Sequence, residues 1–404
     1  MYNNKHVPWA PGYHIKSLVS FPVFYLIYVF LPCIDHPTLT HSFILPPHNM
    51  RFSIIPTAGL LITLASAAPL AKRDYAPFPL VNGFPNPSQD AILQIQKDGH
   101  GTLPNGPPPP TLSPDGTTNL KLIALNELFE VAFFTELMSN VTNKLPGYDL
   151  GDRQGYIIES LKAIVNQEEM HVLNANDALK HFNTAPIEGC KYNFPVVDYE
   201  GAIALAATFT DLVLGTLQEV SELFARSQDF GLVHAVASVI GNEGSQEGFF
   251  RAEQKKRPSA QPFLTSSSRD FAFTAIQEFV VEGSCPNINT IPLKRFKPLA
   301  VETKDIKAET QDIKFSFSMK DAGMFEIDML KLVWINGQNV PVVKALRNVE
   351  MKDDRVMFEA EFPFDEFVME GLTIAAVTMG EDSFEGAGGV AEKTVFGPGI
   401  IELD

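Results

Sequence analysis

The apolar residues of this chain change their spacing near Pro298, and that change limits the fold more than any single motif. Upstream, in long stretches between residues 119 and 256, apolar positions recur every three or four residues and the stretches are separated by prolines and glycines. That is the period of helices burying one face or more. Downstream, Ile313, Phe315 and Phe317, then Val356, Phe358, Ala360 and Phe362, alternate with polar neighbours, the period of half-buried strands. Helices followed by strands, rather than alternating with them, predict an α+β chain in which a helical bundle precedes an antiparallel β-sandwich.

The helical half divides cleanly. Residues 119–143 are apolar almost all round and stop before Pro146-Gly147, so this helix must be buried. Further helices are expected at 153–182, 199–227 and 232–256, lengths suited to an antiparallel four-helix bundle, with a shorter fifth at 270–281. Residues 77–114 contain ten prolines, including Pro107-Pro108-Pro109-Pro110, and residues 74–118 read as an extended arm. The bundle is assigned to 119–283, a linker to 284–310 and the β-sandwich to 311–404. About six strands are expected there, with turns at Asn336-Gly337 and Asp353-Asp354.

Near the start, Met50-Arg51, the apolar run from Ala58 to Ala65 and Ala65-Ser66-Ala67 form a secretory signal peptide over residues 50–67. A short pro-segment, 68–73, ends at the dibasic pair Lys72-Arg73. Residues 1–49 then read as an upstream extension ahead of the true initiator Met50. The alternative is a signal anchor at 18–34, a stretch marginal in length for a membrane span and broken by Pro22 and Pro32. The mature protein is expected outside the cell or in its wall, with no stable membrane span.

Charge and cysteines narrow the function. The 31 basic and 48 acidic residues leave −17, which argues against nucleic acid and anionic membranes as partners, since both need a basic face. Removing residues 1–73 also removes Cys33 and leaves Cys190 and Cys285. In an oxidising compartment these two are expected to pair, against the alternative of two buried thiols. Asn140-Val141-Thr142 is an N-glycosylation acceptor at Asn140 in a secreted chain.

The chemistry-bearing residues lie inside the helices. Glu127 and Glu130 stand in an otherwise apolar stretch, and a buried carboxylate costs several kcal/mol unless it is paired, protonated or bound to a metal. The next helix holds Glu168 and His171, three residues apart and therefore on one face. Glu-x-x-His is the unit that carboxylate-bridged di-iron bundles use twice.

With Glu127, Glu130, Ala132, Phe133 and Phe134 on the first helix and Glu168-x-x-His171 on the second, residues 120–254 resemble the ferritin-like superfamily. Within it they resemble most the fungal secreted late sexual development or stress-response proteins, which are related to desiccation-related proteins. The branch has a first helix of the form Ala-Leu-x-x-Glu-x-x-Glu-x-Ala-Phe-Tyr, with Phe134 here in place of the tyrosine. The resemblance implies Glu127, Glu168, His171 and Glu243 as metal ligands, for Fe or Mn. It also exposes a defect. The third bundle helix offers Thr210-Asp211 where a glutamate is expected, so Asp211 is an offset substitute, and Gln246 stands where the second histidine belongs.

His100, His181 and His234 are the other histidines beyond residue 73, and none falls where it could replace that ligand. The degraded half-site favours a non-catalytic secreted scaffold of stress response or sexual development, with an extracellular or cell-wall partner. The alternative is a metal-binding protein or metal-dependent oxidoreductase. Arg251, by pairing with a buried carboxylate, would support a metal-free hydrogen-bonded core. Glu136, Glu159, Glu169 and Glu253 read as solvated faces. Residues 380–389 read as a flexible acidic hairpin rather than a calcium loop. Serine-nucleophile, phosphate-loop and zinc-protease signatures are absent.

Overall fold

The computed structural model describes residues 75–322 and 325–404. The upstream extension, signal peptide and pro-segment expected within residues 1–73 lie outside the described residues. The helices are α1 (Gln89–Asp98), α2 (Pro114–Thr142), α3 (Gln154–His181), α4 (Tyr199–Arg226), α5 (Phe230–Glu253), α6 (Arg269–Gln277), α7 (Met319–Ala322), α8 (Phe364–Phe367) and α9 (Ala387–Lys393). The strands are β1 (Ala300–Val301), β2 (Gln311–Ser318), β3 (Leu330–Asn336), β4 (Val342–Ala345), β5 (Arg347–Lys352), β6 (Arg355–Phe362), β7 (Gly371–Met379) and β8 (Thr394–Leu403). The architecture is α+β, as the periodicity predicts.

Four long helices, α2 to α5, form the bundle. Helix α2 starts ahead of its apolar run because Ser113 caps it, accepting a hydrogen bond from the Gly116 amide, and Pro114 occupies the first turn, where its missing N–H costs nothing. Its aromatic residues interlock with those of the facing helices. Phe129 and Phe133 meet Phe209 of α4 edge-on at 5.0 and 5.1 Å, and Phe134 stacks on Phe250 of α5 at 5.5 Å. Each buried phenylalanine contributes roughly 1.5–3 kcal/mol. Helix α4 is long and apolar enough to cross a membrane, but 83% of its most apolar window is buried inside the protein.

The arm is not extended throughout. Between its proline clusters Ser88 caps α1 by accepting from the Ala91 amide, and Gly99 ends it. Helix α1 lies along α3, with Asp98 and Lys162 paired at 2.9 Å. Cys190 and Cys285 form a disulfide that joins the segment after α3 to the segment after α6.

The strands build two antiparallel four-stranded sheets, β1-β2-β6-β5 and β4-β3-β7-β8. In the first, Ile313, Phe315 and Phe317 of β2 sit opposite Ala360, Phe358 and Val356 of β6, so the alternation seen in sequence becomes one inward face. That face packs on Trp334 and Phe396 of the second sheet, Phe317 stacking on Phe396 at 4.0 Å. The reverse face of the second sheet, with Val333, Ile335, Ile374 and Ala376, packs on Leu212 of α4 and Phe271 of α6. Helices, sheet and sheet therefore form successive layers, and β7 is buried on both faces along nearly its whole length.

Three further segments differ from expectation. Strand β1 lies within the expected linker and pairs with β2. Strand β8 was hidden by Gly397, Pro398 and Gly399, which sit where its register against β7 shifts between Ala375 and Val377, a bulge that tolerates proline. The expected hairpin at 380–389 instead leads into α9, whose Val390 and Ala391 are buried.

Candidate metal centre

Three helices of the bundle converge on one group of side chains: Glu127 from α2, Glu168 and His171 from α3, and Glu243 from α5. Each offers one ligand atom, and the four atoms all lie within 4.8 Å of one another. The three glutamates are fully buried, and His171 is largely so. The i, i+3 spacing of Glu168 and His171 does what the sequence requires of it, bringing the His171 Nδ1 to 2.8 Å from Glu168 Oε2 and 3.2 Å from Glu127 Oε2.

The hydrogen bonds around this group are incomplete. Gln246 donates through Nε2 to Glu168 Oε1 at 2.6 Å and to Gln167 Oε1 at 3.1 Å. Among the described residues, the Glu127 Oε1 atom and both carboxylate oxygens of Glu243 find no hydrogen-bond partner. One turn along α2, Glu130 is buried as well and accepts from Asn126 Nδ2 at 3.1 Å.

Burial pushes the Glu127 carboxyl up to about 7, although His171 works against the shift. Burial raises Glu130 and Glu243 well above the usual carboxylate range, and neighbouring carboxylates add to it. Burial also opposes ionisation of Glu168, but the His171 charge and hydrogen bonds outweigh it and hold Glu168 below its ordinary value. Desolvation acts against a charged His171, and Glu168 and Glu127 overcome it, so the imidazole is raised well above the usual range.

Arg251 does not neutralise this group. Its guanidinium pairs with Asp404 and lies 3.8 Å from Glu402 Oε1, while its Nε donates to the Arg257 carbonyl at 2.6 Å. Among the described residues, no lysine or arginine forms an ion pair with Glu127, Glu130, Glu168 or Glu243.

Asp211, the expected substitute ligand, is not brought to the centre. One residue along a helix rotates a side chain by about 100°, and Asp211 faces the charges of Arg251, Asp404 and Lys256, with burial pushing its carboxyl up to about 6. Glu247 of α5 belongs to the same second cluster and is raised well above its ordinary value by burial and by Asp211 and Glu402. The sequence reading missed Glu247, Glu402 and Asp404. The available signal was Glu247 lying one turn beyond Glu243, on a stretch of helix that also carries Arg251.

The remaining candidates fall as follows. Thr210 is buried, and among the described residues its Oγ1 finds no hydrogen-bond partner. His100, His181 and His234 are exposed. Glu169 is not solvated: it is buried and receives both of its hydrogen bonds from Asn82 of the arm, at 2.9 and 3.1 Å. Asn140 is half-buried in the last turn of α2.

Comparison with known proteins agrees with this geometry. Residues 119–256, which run from the first turns of α2 to just past α5, match a family model described as the ferritin-like domain. Over that segment the chain is similar to the ferritin-like domain. No curated protein matches the chain. The matched segment holds the whole carboxylate and histidine group, and the β-layers lie outside it.

Proposed function

We propose that this protein is a secreted metal-binding protein whose ferritin-like domain holds manganese or iron with Glu127, Glu168, His171 and Glu243. One observation carries the reading. Buried carboxylates gather with a single imidazole, three of their oxygens lack a hydrogen-bond partner among the described residues, and the arginine that would have neutralised them pairs elsewhere. A buried carboxylate needs a proton or a counter-charge, and a cation taking the place of the protons accounts for the orphaned oxygens. Three carboxylates and one imidazole form a donor set suited to Mn²⁺ or Fe²⁺ rather than to thiophilic ions.

A bound ion of this kind would supply a Lewis-acidic, redox-capable centre. The chain's own part is to fix the ligands. Gln246 anchors Glu168, His171 is held between two carboxylates, and the aromatic packing of α2 against α4 and α5 shields the group from water. The amide at Gln246 and the missing carboxylate on α4 support holding a metal over a paired-iron oxidase cycle. The disulfide and the signal-peptide pattern support secretion. Kinship with fungal stress-response and late sexual development proteins rests on the first-helix motif, and an acidic extracellular domain of that kind would meet its partner at the cell wall.

Elemental analysis of the secreted protein, purified without chelator, tests this directly beside a Glu127→Ala/His171→Ala variant. A transition metal present in the first and lost in the second is expected. Protein that stays metal-free after incubation with Mn²⁺, Fe²⁺ and Zn²⁺ would leave a scaffold with a proton-bearing core.

A further inference from the structure

We infer that the N-terminal arm is a strap for the metal centre, tied to the ligand Glu168 through the side-chain amides of Gln167 and Gln246, so that docking of the arm and binding of the metal strengthen each other. This rests on the metal-binding reading above and adds to it a control that lies outside the segment matching the ferritin-like domain.

A chain of hydrogen bonds runs from a ligand oxygen to the backbone of the arm. Gln246 Nε2 donates to Glu168 Oε1 at 2.6 Å and to Gln167 Oε1 at 3.1 Å, with Asn242 Oδ1 at the 3.5 Å limit. Gln167 Oε1 also accepts from Asn242 Nδ2 at 3.2 Å, and Gln167 Nε2 donates to the Gly99 carbonyl at 3.3 Å. An ionised carboxylate only accepts, so Glu168 fixes which way the Gln246 amide points. Gln246 in turn fixes Gln167, whose N–H groups are left to face the arm. Where the resemblance expects a second histidine, this chain therefore has a positioning residue that links a ligand to the arm.

The arm grips the same stretch of α3 elsewhere as well. Asn82 Nδ2 donates to both carboxylate oxygens of Glu169, at 2.9 and 3.1 Å. Gly99 is buried against α3, where a Cβ would stand 2.6 Å from Met170 Cε and 3.3 Å from the Asn166 carbonyl carbon, a closeness that suits glycine. Ile95 of α1 is 1% exposed and joins the core of the bundle. Gln167, Glu169 and Met170 lie beside Glu168 and His171 in the chain, and the arm holds all three. Helix α3 supplies two of the four ligands, so an arm that steadies it favours the metal-binding arrangement. Linkage is reciprocal: a metal that draws Glu168 and His171 into place must favour the docked arm by the same factor.

Lys97, exposed in the last turn of α1, is the one basic residue within residues 75–112, so tryptic cleavage after it reports undocking of the arm. Trypsin is applied to the secreted protein and to a Gln167→Met variant, each with and without Mn²⁺, and bound metal is assayed in parallel. A peptide substrate corrects for any effect of Mn²⁺ on trypsin, and exposed Lys352 of β5 serves as the reference outside the bundle. In wild type, bound Mn²⁺ is expected to slow cleavage at Lys97 about tenfold relative to Lys352, a coupling ordinary for linked sites. In Gln167→Met, which keeps the bulk of the side chain, Mn²⁺ is still expected to bind while the slowing falls below about twofold. A wild type that binds Mn²⁺ with unchanged cleavage at Lys97, or with equal slowing at both lysines, overturns the strap and leaves the metal centre intact, and this outcome needs no variant to fold. Equal protection of Lys97 in wild type and Gln167→Met overturns the route through Gln167. No bound metal in the wild type overturns the metal-binding reading and the strap with it.

Discussion

Two acidic clusters lie within one helical bundle, and they settle their charge in opposite ways. At the centre, Glu127, Glu168 and Glu243 gather with His171, Glu130 lies buried one turn along α2, and among the described residues no lysine or arginine is paired to them. Where the bundle meets the end of β8, Asp211, Glu247, Glu402 and Asp404 gather around Arg251 and Lys256, with Lys256 Nζ 2.5 Å from Asp404 Oδ2. The second cluster brings two cations to its four carboxylates within the chain and acts as a clasp between helices and sheet. The first cannot, and its missing charge must come from protons or from cations in solution. Burial alone therefore does not distinguish the two clusters; a resident cation does.

The largest test of that contrast removes the resident cation. Arg251→Met leaves Asp404, Glu402, Glu247 and Asp211 with only Lys256, and a stability loss of about 5 kcal/mol is expected, the upper end for breaking a buried ion pair. Urea denaturation measures it, and a loss below about 1 kcal/mol would show that the clasp contributes little. A cut that touches neither cluster calibrates the scale. Cys190→Ser/Cys285→Ser releases a 95-residue separation and should cost roughly 4 kcal/mol by chain entropy, with no change in metal binding.

A smaller effect is expected at the centre. Glu243→Gln removes a carboxylate that has no hydrogen-bond partner, so the metal-free protein should lose little stability, while the stabilisation by Mn²⁺ should disappear. That stabilisation is about 2.7 kcal/mol when free metal is at a hundred times its dissociation constant. Melting curves with and without Mn²⁺ read both halves of the prediction. Unchanged protection by Mn²⁺ in the variant would erase the distinction between the two clusters.

A separate effect is expected in pH dependence. The Glu127 carboxyl is raised to about 7 in the folded chain from an ordinary value near 4.5, so the folded state binds more protons than the unfolded state between those values. Stability of the metal-free protein therefore falls as pH rises through that window, and Glu130 and Glu243, whose carboxyls burial also raises, add to the fall. Saturating Mn²⁺ should flatten the slope, because the metal replaces those protons. A metal-free protein whose stability rises from pH 5 to pH 8 would contradict this balance.

Much of the bundle was legible from residue spacing. Helices α3 and α4 end within a turn of their expected limits, because proline, glycine and capping residues act on the backbone locally. Glu127, Glu168 and His171 could be placed together because the i, i+3 rule and the apolar character of α2 are properties of single helices. Helix α1 escaped notice because ten prolines dominate the composition of the arm, whereas a helix needs only the one uninterrupted stretch between Pro87 and Pro104. Glu169 read as solvated because its cover, Asn82, comes from a segment 87 residues away.

Periodicity, turn chemistry and the rarity of carboxylates in apolar helices determined that this chain is an α+β protein with glutamates and one histidine inside its bundle, since each of those signals depends on residues a few positions apart. Tertiary structure alone decided which cluster received the arginine. Arg251 lies eight residues beyond Glu243 on the same helix, and sequence distance cannot say whether it turns toward the centre or away. The sheet packed on α4 and α6 brings Glu402 and Asp404 to its guanidinium. Electrostatic energy in a buried site follows spatial distance, and the chain brings those charges together only when the two layers meet.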